Sequence, residues 1–139
     1  AIEKDLEGMV IVWAGGIASD MIESAEVVDD IMIMARNFND VELDRLKMIG
    51  DAIRKKCKRG VALLASPSSS GSGHLCCVVT DELLKETKLK AGALIGQAAK
   101  IAGGGGGGRP HLATAGTKHP EKLNDAVNLF KDIVRKTLS

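Results

Sequence analysis

The sequence contains few aromatic residues, and this scarcity limits both its core and its possible ligand surfaces. The 139 residues include one tryptophan, two phenylalanines and no tyrosine, so aromatics make up 2% of the chain. The core must therefore be built from aliphatic side chains and methionine, and a nucleic-acid platform of stacked Phe and Tyr rings is not expected. Hydrophobic residues at 45% and charged residues at 27% nevertheless indicate a single folded unit.

Long apolar runs and cysteine pairs are missing as well. The longest apolar run, residues 9–18, contains two glycines and is far shorter than the about 20 residues that cross a bilayer. The acidic segment before it has the wrong charge for a secretory signal. The three cysteines have no metal-binding spacing and are expected to stay reduced. We therefore expect a cytoplasmic protein without membrane contact and, because the chain begins with Ala1, a piece of a longer protein.

Charge is distributed unevenly along the chain, although the net charge is only +1. Residues 1–30 carry eight acidic residues and one lysine, whereas the remaining residues carry 18 basic and 10 acidic ones. A basic body of this kind can attract a polyanion while the acidic N-terminal segment stays away from it. The alternative is an ordinary scatter of surface charge.

Hydrophobic periodicity predicts alternating helices and strands. Residues 1–28 are predicted to be helical, with a break at Gly15 and Gly16 left open, and Asn39 to Glu42 resembles a capping box at the start of a helix. Further helices are predicted at 89–101 and 120–136, strands at 31–35, 61–65 and 75–79, and a hairpin turn at 67–73. This pattern predicts an α/β (α+β) fold in which helices cover a small mixed sheet. We divide the chain into a helical arm, residues 1–29, which is a candidate oligomerisation segment, and a globular domain, residues 30–139.

Six consecutive glycines at 103–108 are the most unusual feature of the sequence. A backbone without Cβ atoms can approach a ligand closely and point its N–H groups at an anion. No Lys-Ser or Lys-Thr pair follows, and a helix rather than a strand precedes, so the run fits neither nucleotide-binding motif. A flexible linker is the alternative. Arg109, a permanent planar cation beside the rigid Pro110, favours a binding role for the run.

Recognisable catalytic and metal-binding motifs are absent from the sequence. His111 and His119 lie eight positions apart without a third ligand nearby, and no nucleophile elbow or acid–base pair is present. We therefore expect no catalytic residue, metal site or cofactor in this chain. A second basic cluster, Arg54 to Arg59, could hold phosphates, or it could simply be a solvated helix end that complements the helix dipole.

Several segments together resemble the C-terminal module of alanyl-tRNA synthetases, a domain of the DHHA1 type. The resemblance extends from about residue 30 to the end and includes Val61 to Ser66. It is carried by Lys90-Ala91-Gly92, Ala98 to Ile101, the glycine run, Arg109-Pro110, Ala113, Ala115-Gly116 and Pro120 to Leu123, in that order. The sequence departs from the family at His111, where an acid is common, and at residues 9–18, which are more apolar than the usual arm.

The resemblance implies that the parent enzyme joins alanine to its tRNA, while a separate domain removes mischarged serine or glycine. ATP, Mg²⁺ and Zn²⁺ would be bound by these other domains. This module is expected to grip the elbow of alanine tRNA, and the arm is expected to mediate a homodimer. In related DHH phosphoesterases a histidine directly follows the glycines, whereas Arg109 stands there in this chain.

The resulting hypothesis is an RNA-binding module without chemistry of its own. Its expected contacts are Gly104, Gly105, Gly106, Gly107, Gly108 and Arg109, with His111 and Lys118 beside them and Arg54, Lys55, Lys56, Lys58 and Arg59 as a second patch. Two alternatives remain open, namely the substrate-binding domain of a DHH-family phosphoesterase and a pure oligomerisation module built on the arm.

Overall fold

Six strands form one mixed sheet with helices on both of its faces. The computed structural model describes residues 2–68 and 70–138, and their side chains from Val12 onward. The side chains of residues 9–11 in the predicted apolar run, and Ser69 in the predicted turn, lie outside the described residues. The elements are α1 (Ile2–Glu23), β1 (Glu26–Val28), β2 (Ile31–Asn37), α2 (Leu43–Lys56), β3 (Gly60–Pro67), β4 (Gly73–Val79), α3 (Asp81–Glu86), α4 (Ala91–Ile101), β5 (Gly104–Gly108), β6 (Leu112–Thr117), a 3-10 turn (Pro120–Lys122) and α5 (Leu123–Leu138).

The strand order is β1-β2-β3-β4-β6-β5, so β1 and β5 are the two edges of the sheet. Strands β2 and β3 are parallel and every other neighbouring pair is antiparallel. The parallel pair needs a crossover, which α2 supplies. The predicted α/β architecture with a small mixed sheet is confirmed.

Alternating side chains of the central strands separate two cores. On β3, Val61, Leu63 and Ala65 join the core beneath α4 and α5, whereas Ala62 and Leu64 join the core beneath α1 and α2. Successive strand residues point to opposite faces, so a strand covered on both sides is apolar throughout. This explains why the predicted strands carry unbroken apolar runs.

The N-terminal region differs from the prediction at its C-terminal end. Helix α1 passes through Gly15 and Gly16 without a break but ends at Glu23, and residues 26–28 form a strand. The prediction of helix as far as residue 28 is wrong because Asp29 and Asp30 adopt positive φ angles of 51° and 65° and turn the chain into a hairpin. The boundary between arm and globular domain stays a prediction.

The predicted capping box is also wrong. Helix α2 begins at Leu43, and its N-cap is Glu42, which makes no side-chain capping hydrogen bond. Asp40 adopts a positive φ of 52°, which carries the chain away from helical geometry before the helix starts. Asn39 therefore lies too early to cap the helix.

None of the helices within the described residues is long and apolar enough to span a bilayer. The second half of α1 instead packs against α2 through Ala14, Ala18 and Met21, all of which are buried. These small and flexible side chains let the two helices approach closely.

The three cysteines are free and buried. Burial raises the pKa of the Cys76 thiol to about 12 and raises the pKa of the Cys77 thiol well above its usual value. The folded chain therefore keeps these two protons in a pH range where the unfolded chain releases them.

We expect the free energy of unfolding to decrease as the pH rises above about 8.5, where thiols of the unfolded chain begin to ionise. Below that pH, each thiol whose pKa is raised by burial makes its full contribution to the free energy of unfolding. Above that pH, this contribution falls by about 1.4 kcal/mol per pH unit until the pH reaches the pKa of the folded state. Urea unfolding at several alkaline pH values measures the slope. The variant with Cys76→Ala and Cys77→Ala should show a shallower slope, and an unchanged slope would contradict the assignment.

Candidate functional site

The glycine run forms the edge strand β5. Gly103 adopts a positive φ of 73° and ends α4, which confirms the predicted end of that helix. Gly104 to Gly108 then pair antiparallel with β6, in the register Gly104 with Thr117 and Gly108 with Ala113. The interpretation of the run as a flexible linker is therefore wrong. Glycine has little intrinsic preference for strands, so the order must come from pairing with β6 and packing against α4.

Every second glycine of β5 is required by packing. A Cβ atom on Gly104, Gly106 or Gly108 would lie less than 3.0 Å from backbone atoms of β6. These three residues pair with Thr117, Ala115 and Ala113, which are buried on the α4 side of the sheet. No other amino acid fits at these positions without moving the backbone.

The intervening glycines face open space on the opposite side of the hairpin. A Cβ atom on Gly105, Gly107 or Gly116 would meet no atom within 4 Å. In the sheet register, Gly105 lies opposite Gly116, and Gly107 lies opposite Thr114. We call the surface of Gly105, Gly107 and Gly116 the open glycine face. The fold leaves room for side chains at these three positions, yet the sequence supplies none there, and the Thr114 side chain borders them.

The turn after β5 holds Arg109 at the end of the strand. The Arg109 N–H donates to the Leu112 carbonyl at 3.0 Å, the Pro110 carbonyl accepts from the Ala91 N–H at 2.8 Å, and the His111 carbonyl accepts from the Val79 N–H at 3.0 Å. The backbone of the turn is thus anchored to α4 and β4. The Arg109 side chain is exposed, and it makes no hydrogen bond or ion pair within residues 12–68 and 70–138.

A concavity of about 470 Å³ lies at the other end of β5, where β4 begins and β6 ends. Its polar side chains are Ser72, His74, Thr117 and Lys118, and its remaining lining is glycine. The structure therefore places the predicted Lys118 beside the glycine strand. Sequence reasoning missed His74, although a lone polar residue at the head of an apolar strand was an available signal.

His74 lies on the same side of the sheet as the open glycine face. It pairs with Gly116 across the β4–β6 ladder, and Gly116 pairs in turn with Gly105. The row His74, Gly116, Gly105 therefore crosses three strands, with one side chain followed by two bare positions. The imidazole borders a flat strip of main chain.

The second basic patch is partly neutralised by α3. Arg54 pairs with Asp81 at 2.7 Å, and Arg59 pairs with Glu86 and, at 3.8 Å, with Glu82. The hydrogen bond to Glu86 raises the pKa of the Arg59 guanidinium. The two arginines thus connect α3 to the C-terminal turn of α2 and to the segment that follows it.

The three lysines of the second patch are exposed, and Arg54, Lys55 and Lys58 line a separate concavity together with Asp81 and Glu82. Lys56 instead lines a groove between α1 and α2, which Lys55 also borders. The phosphate-binding role of Arg54, Lys55, Lys56, Lys58 and Arg59 stays a prediction. Among the described residues, no three His, Cys, Asp or Glu side chains come together as a metal site.

Comparison with known proteins gives a consistent family. The family model of the DHHA1 domain matches residues 17–136. The alanine–tRNA ligase of Alkaliphilus oremlandii is 36% identical over 137 residues, which is 99% of this chain and 15% of that protein. The ligase of Natranaerobius thermophilus is 36% identical over 120 residues, covering 86% of this chain and 13% of that protein. This chain thus spans only a small part of the length of these relatives.

Two solved structures are similar to the fold. The C-Ala domain of Aquifex aeolicus alanyl-tRNA synthetase matches with a TM-score of 0.71 and 33% identity, covering 79% of this chain and 96% of that domain. A DHH domain from a member of the s1p family of ribosomal proteins matches with a TM-score of 0.60 and 14% identity, covering 90% of this chain and 31% of that one. At that identity the second match speaks for the fold alone.

Proposed function

Since this chain belongs to the DHHA1 domain family, as a relative of the C-terminal domain of alanyl-tRNA synthetases, we propose that it binds transfer RNA. The reactions would take place in other domains of a parent enzyme that joins alanine to its tRNA in the cytoplasm. ATP, Mg²⁺ and Zn²⁺ would be bound there. This chain would hold the elbow of the tRNA and so help to place the acceptor end.

The observation that carries the proposal is the open glycine face. Its glycines have no packing role, because a Cβ atom at 105, 107 or 116 would meet open space. Three positions without side chains let a ligand approach the main chain of the hairpin closely. Folded RNA is recognised largely by shape and by its sugar–phosphate backbone, and such contacts require close approach.

Positive charge at both ends of β5 supports the same function. Arg109 follows the strand, and Lys118 lines the concavity near its start. Lys90 lies beside the Arg109 turn, since the neighbouring Ala91 N–H bonds to Pro110. Lysine and arginine side chains neutralise phosphates and give affinity that depends on salt. His111 is half-buried in the turn and would take a supporting place.

The N-terminal helix supports a proposed homodimer. Val12 is 76% exposed and Trp13 is 37% exposed, so large apolar side chains on α1 are left in solvent. A phosphoesterase function is less well supported, because an arginine, which is a poor proton donor, stands at position 109 directly after the glycines.

Adding side chains to the open glycine face tests the proposal. We expect Gly105→Val and Gly107→Val to weaken binding of an alanine tRNA transcript about tenfold, because a branched side chain separates the RNA from the main chain. Fluorescence anisotropy at fixed salt measures the affinity, and thermal melting checks that the fold is retained.

The matched control is Gly16→Val, which adds the same side chain on α1 at a position with no atom within 4 Å. It should leave tRNA affinity unchanged. Failure of the unsubstituted chain to bind the transcript at low salt would refute the proposed function, and equal binding by the strand variants would remove the glycine face from it.

A further inference from the structure

Strand β2 is covered along only part of its outer side. Its neighbour β1 pairs with Ile31 to Ile33, whereas β2 continues to Asn37. On the other side, β3 pairs with β2 without interruption from Met32 to Asn37. Within the described part of the chain, no strand lies on the outer side of residues 34–37. We call these four residues the free edge of β2.

The register shows which main-chain groups the free edge leaves without a partner. In the parallel ladder with β3, the Met32 N–H donates to the Arg59 carbonyl at 2.8 Å. Residues 34 and 36 are in the same phase as Met32, so their N–H and C=O groups point towards β3. Those of Ala35 and Asn37 point the opposite way, and they meet no main-chain partner among the described residues. Two donors and two acceptors are therefore open.

A concavity of about 230 Å³ lies along the free edge. One of its walls is formed by four consecutive residues, Ile33 to Arg36. Residues at the end of α1 and in its link to β1 form the other wall, and Lys131 of α5 borders the space. Neither a proline nor a bulge interrupts β2 here, although proteins commonly protect an exposed edge with such features. The open main-chain groups can therefore be reached from solvent.

The charges around this concavity favour an acidic ligand. Arg36 and Lys131 line it together with one carboxylate, Asp20. The ammonium group of Lys131 also lies 3.7 Å from the carboxylate of Glu26. The Arg36 side chain is exposed, lies 5.0 Å from the centre of the Phe38 ring, and forms no ion pair within the described residues. An uncompensated positive charge thus stands beside the open main-chain groups.

We propose that the free edge of β2 binds an extended acidic peptide segment of a partner protein as an added strand. The peptide main chain pairs with the N–H and C=O groups of Ala35 and Asn37, which supply the affinity. Neighbouring side chains of a strand point to opposite faces, so two consecutive acidic residues place one carboxylate near Arg36 and the other near Lys131. The free edge and the glycine strand β5 lie on opposite sides of the sheet. This interaction is therefore additional to the proposed RNA binding and independent of it.

An NMR titration of the whole chain with a synthetic peptide tests the proposal. The probe is acetyl-Thr-Val-Glu-Glu-Val-Thr-amide, and the control peptide carries lysine in place of both glutamates. A few exposed hydrogen bonds and ion pairs should give the acidic peptide a dissociation constant of about 0.1–1 mM. We expect the amide signals of Ala35 and Asn37 to shift and their exchange with solvent to become several-fold slower. The Met34 and Arg36 amides already bond to β3, so they should shift much less.

This alternation along β2 distinguishes strand pairing from general attraction to a basic surface. Absence of a shift at Ala35 and Asn37, or equal shifts at all four amides, would overturn the proposal. Equal affinity for the lysine peptide would overturn it as well, because the free edge would then not select an acidic segment.

Two substitutions on β2 test the same site. Ala35→Pro removes one outward N–H and no bond to β3, so it should weaken binding of the acidic peptide about fivefold. Arg36→Ala should weaken it about threefold, as expected for loss of an exposed ion pair. Arg109→Ala, at the opposite edge of the sheet, is the matched control for Arg36→Ala and should leave peptide affinity unchanged. Thermal melting checks the fold, and Arg36→Ala alone decides the result if Ala35→Pro does not fold.

The outcomes keep this proposal separate from the proposed function. Unchanged peptide affinity in the folded β2 variants would refute the peptide site, whether or not the chain binds tRNA. Arg36→Ala should bind alanine tRNA as tightly as the unsubstituted chain does. A loss of tRNA affinity in this variant would instead place Arg36 in the RNA surface and overturn its assignment to the peptide site.

Discussion

Gly106→Val is expected to lower the free energy of unfolding by about 2–3 kcal/mol, whereas Gly107→Val should change it by less than about 0.5 kcal/mol. The two positions are neighbours in one strand and receive the same side chain. At 106 the new Cβ atom collides with the Thr114 carbonyl and the Ala115 Cα atom, which belong to the backbone of β6 and cannot rotate away. At 107 it projects into solvent.

Urea unfolding of both variants, with the midpoint and the slope fitted together, measures this difference. An unchanged slope shows that the native and unfolded states expose the same surface in each variant. Equal stability of the two variants would contradict the alternation of packed and open glycines in β5. The pair also provides a direct check of the β5–β6 register, because a shift by one residue would exchange the two results.

Arg109→Ala is expected to weaken alanine tRNA binding by about 10- to 100-fold. The Arg109 side chain is exposed and has no partner within the described residues, so its guanidinium is free to contact a phosphate. A hydrogen bond to a charged group contributes about 1.5–3 kcal/mol, which corresponds to this range of affinity. Because three backbone hydrogen bonds anchor the turn, the substitution should not alter the fold.

A titration repeated at several salt concentrations measures both the affinity and its ionic component. Loss of one phosphate contact should reduce the slope of log affinity against log salt by about 1. Arg109→Lys keeps the charge but loses the planar guanidinium group. Its affinity for tRNA should therefore lie between that of Arg109→Ala and that of the unsubstituted chain. Lys136→Ala on α5 is the control for simple loss of a positive charge. Identical salt slopes for Arg109→Ala and the unsubstituted chain would exclude a phosphate contact at this residue.

Elements with a strong periodic pattern could be predicted from the sequence. The apolar runs of β2, β3 and β4 are covered on both faces, and the buried stripes of α2, α4 and α5 recur at helical spacing. In α5 these are Leu123, Ala126, Phe130 and Val134. Because one entire face of such an element is buried, its sequence carries a regular hydrophobic pattern. The element can therefore be predicted without knowing which elements pack against it.

The elements that depend on a neighbour were not predictable. Strand β5 consists of glycine alone, and its extended geometry depends on pairing with β6 and packing against α4. Strand β6 has a sequence of small residues that resembles a loop. Strand β1 has only three residues, and a turn of two aspartates follows it. The six-residue α3 buries only Leu83, and its ion pairs join it to Arg54 and Arg59, 27 positions away in sequence.

The candidate site could be predicted from the sequence only in part, for the same reason. The sequence places Arg109 next to the glycines, and the return of β6 brings Lys118 back beside them. The alternation between packed and open glycines can be predicted only when the position of β6 is known. The location of His74 beside these glycines can be predicted only when β4 is known to pair with β6.

The two classes of glycine in β5 have a consequence for how the run can change over generations. Codons 104, 106 and 108 are constrained by whether the polypeptide survives in the cell, since a side chain there disrupts the hairpin. Codons 105 and 107 escape that constraint, so under the proposed function only loss of RNA recognition would eliminate their replacements. A mutational library over this run can be screened once for protein abundance and once for tRNA capture. Substitutions at 104, 106 and 108 should then lower abundance, whereas substitutions at 105 and 107 should lower tRNA capture alone.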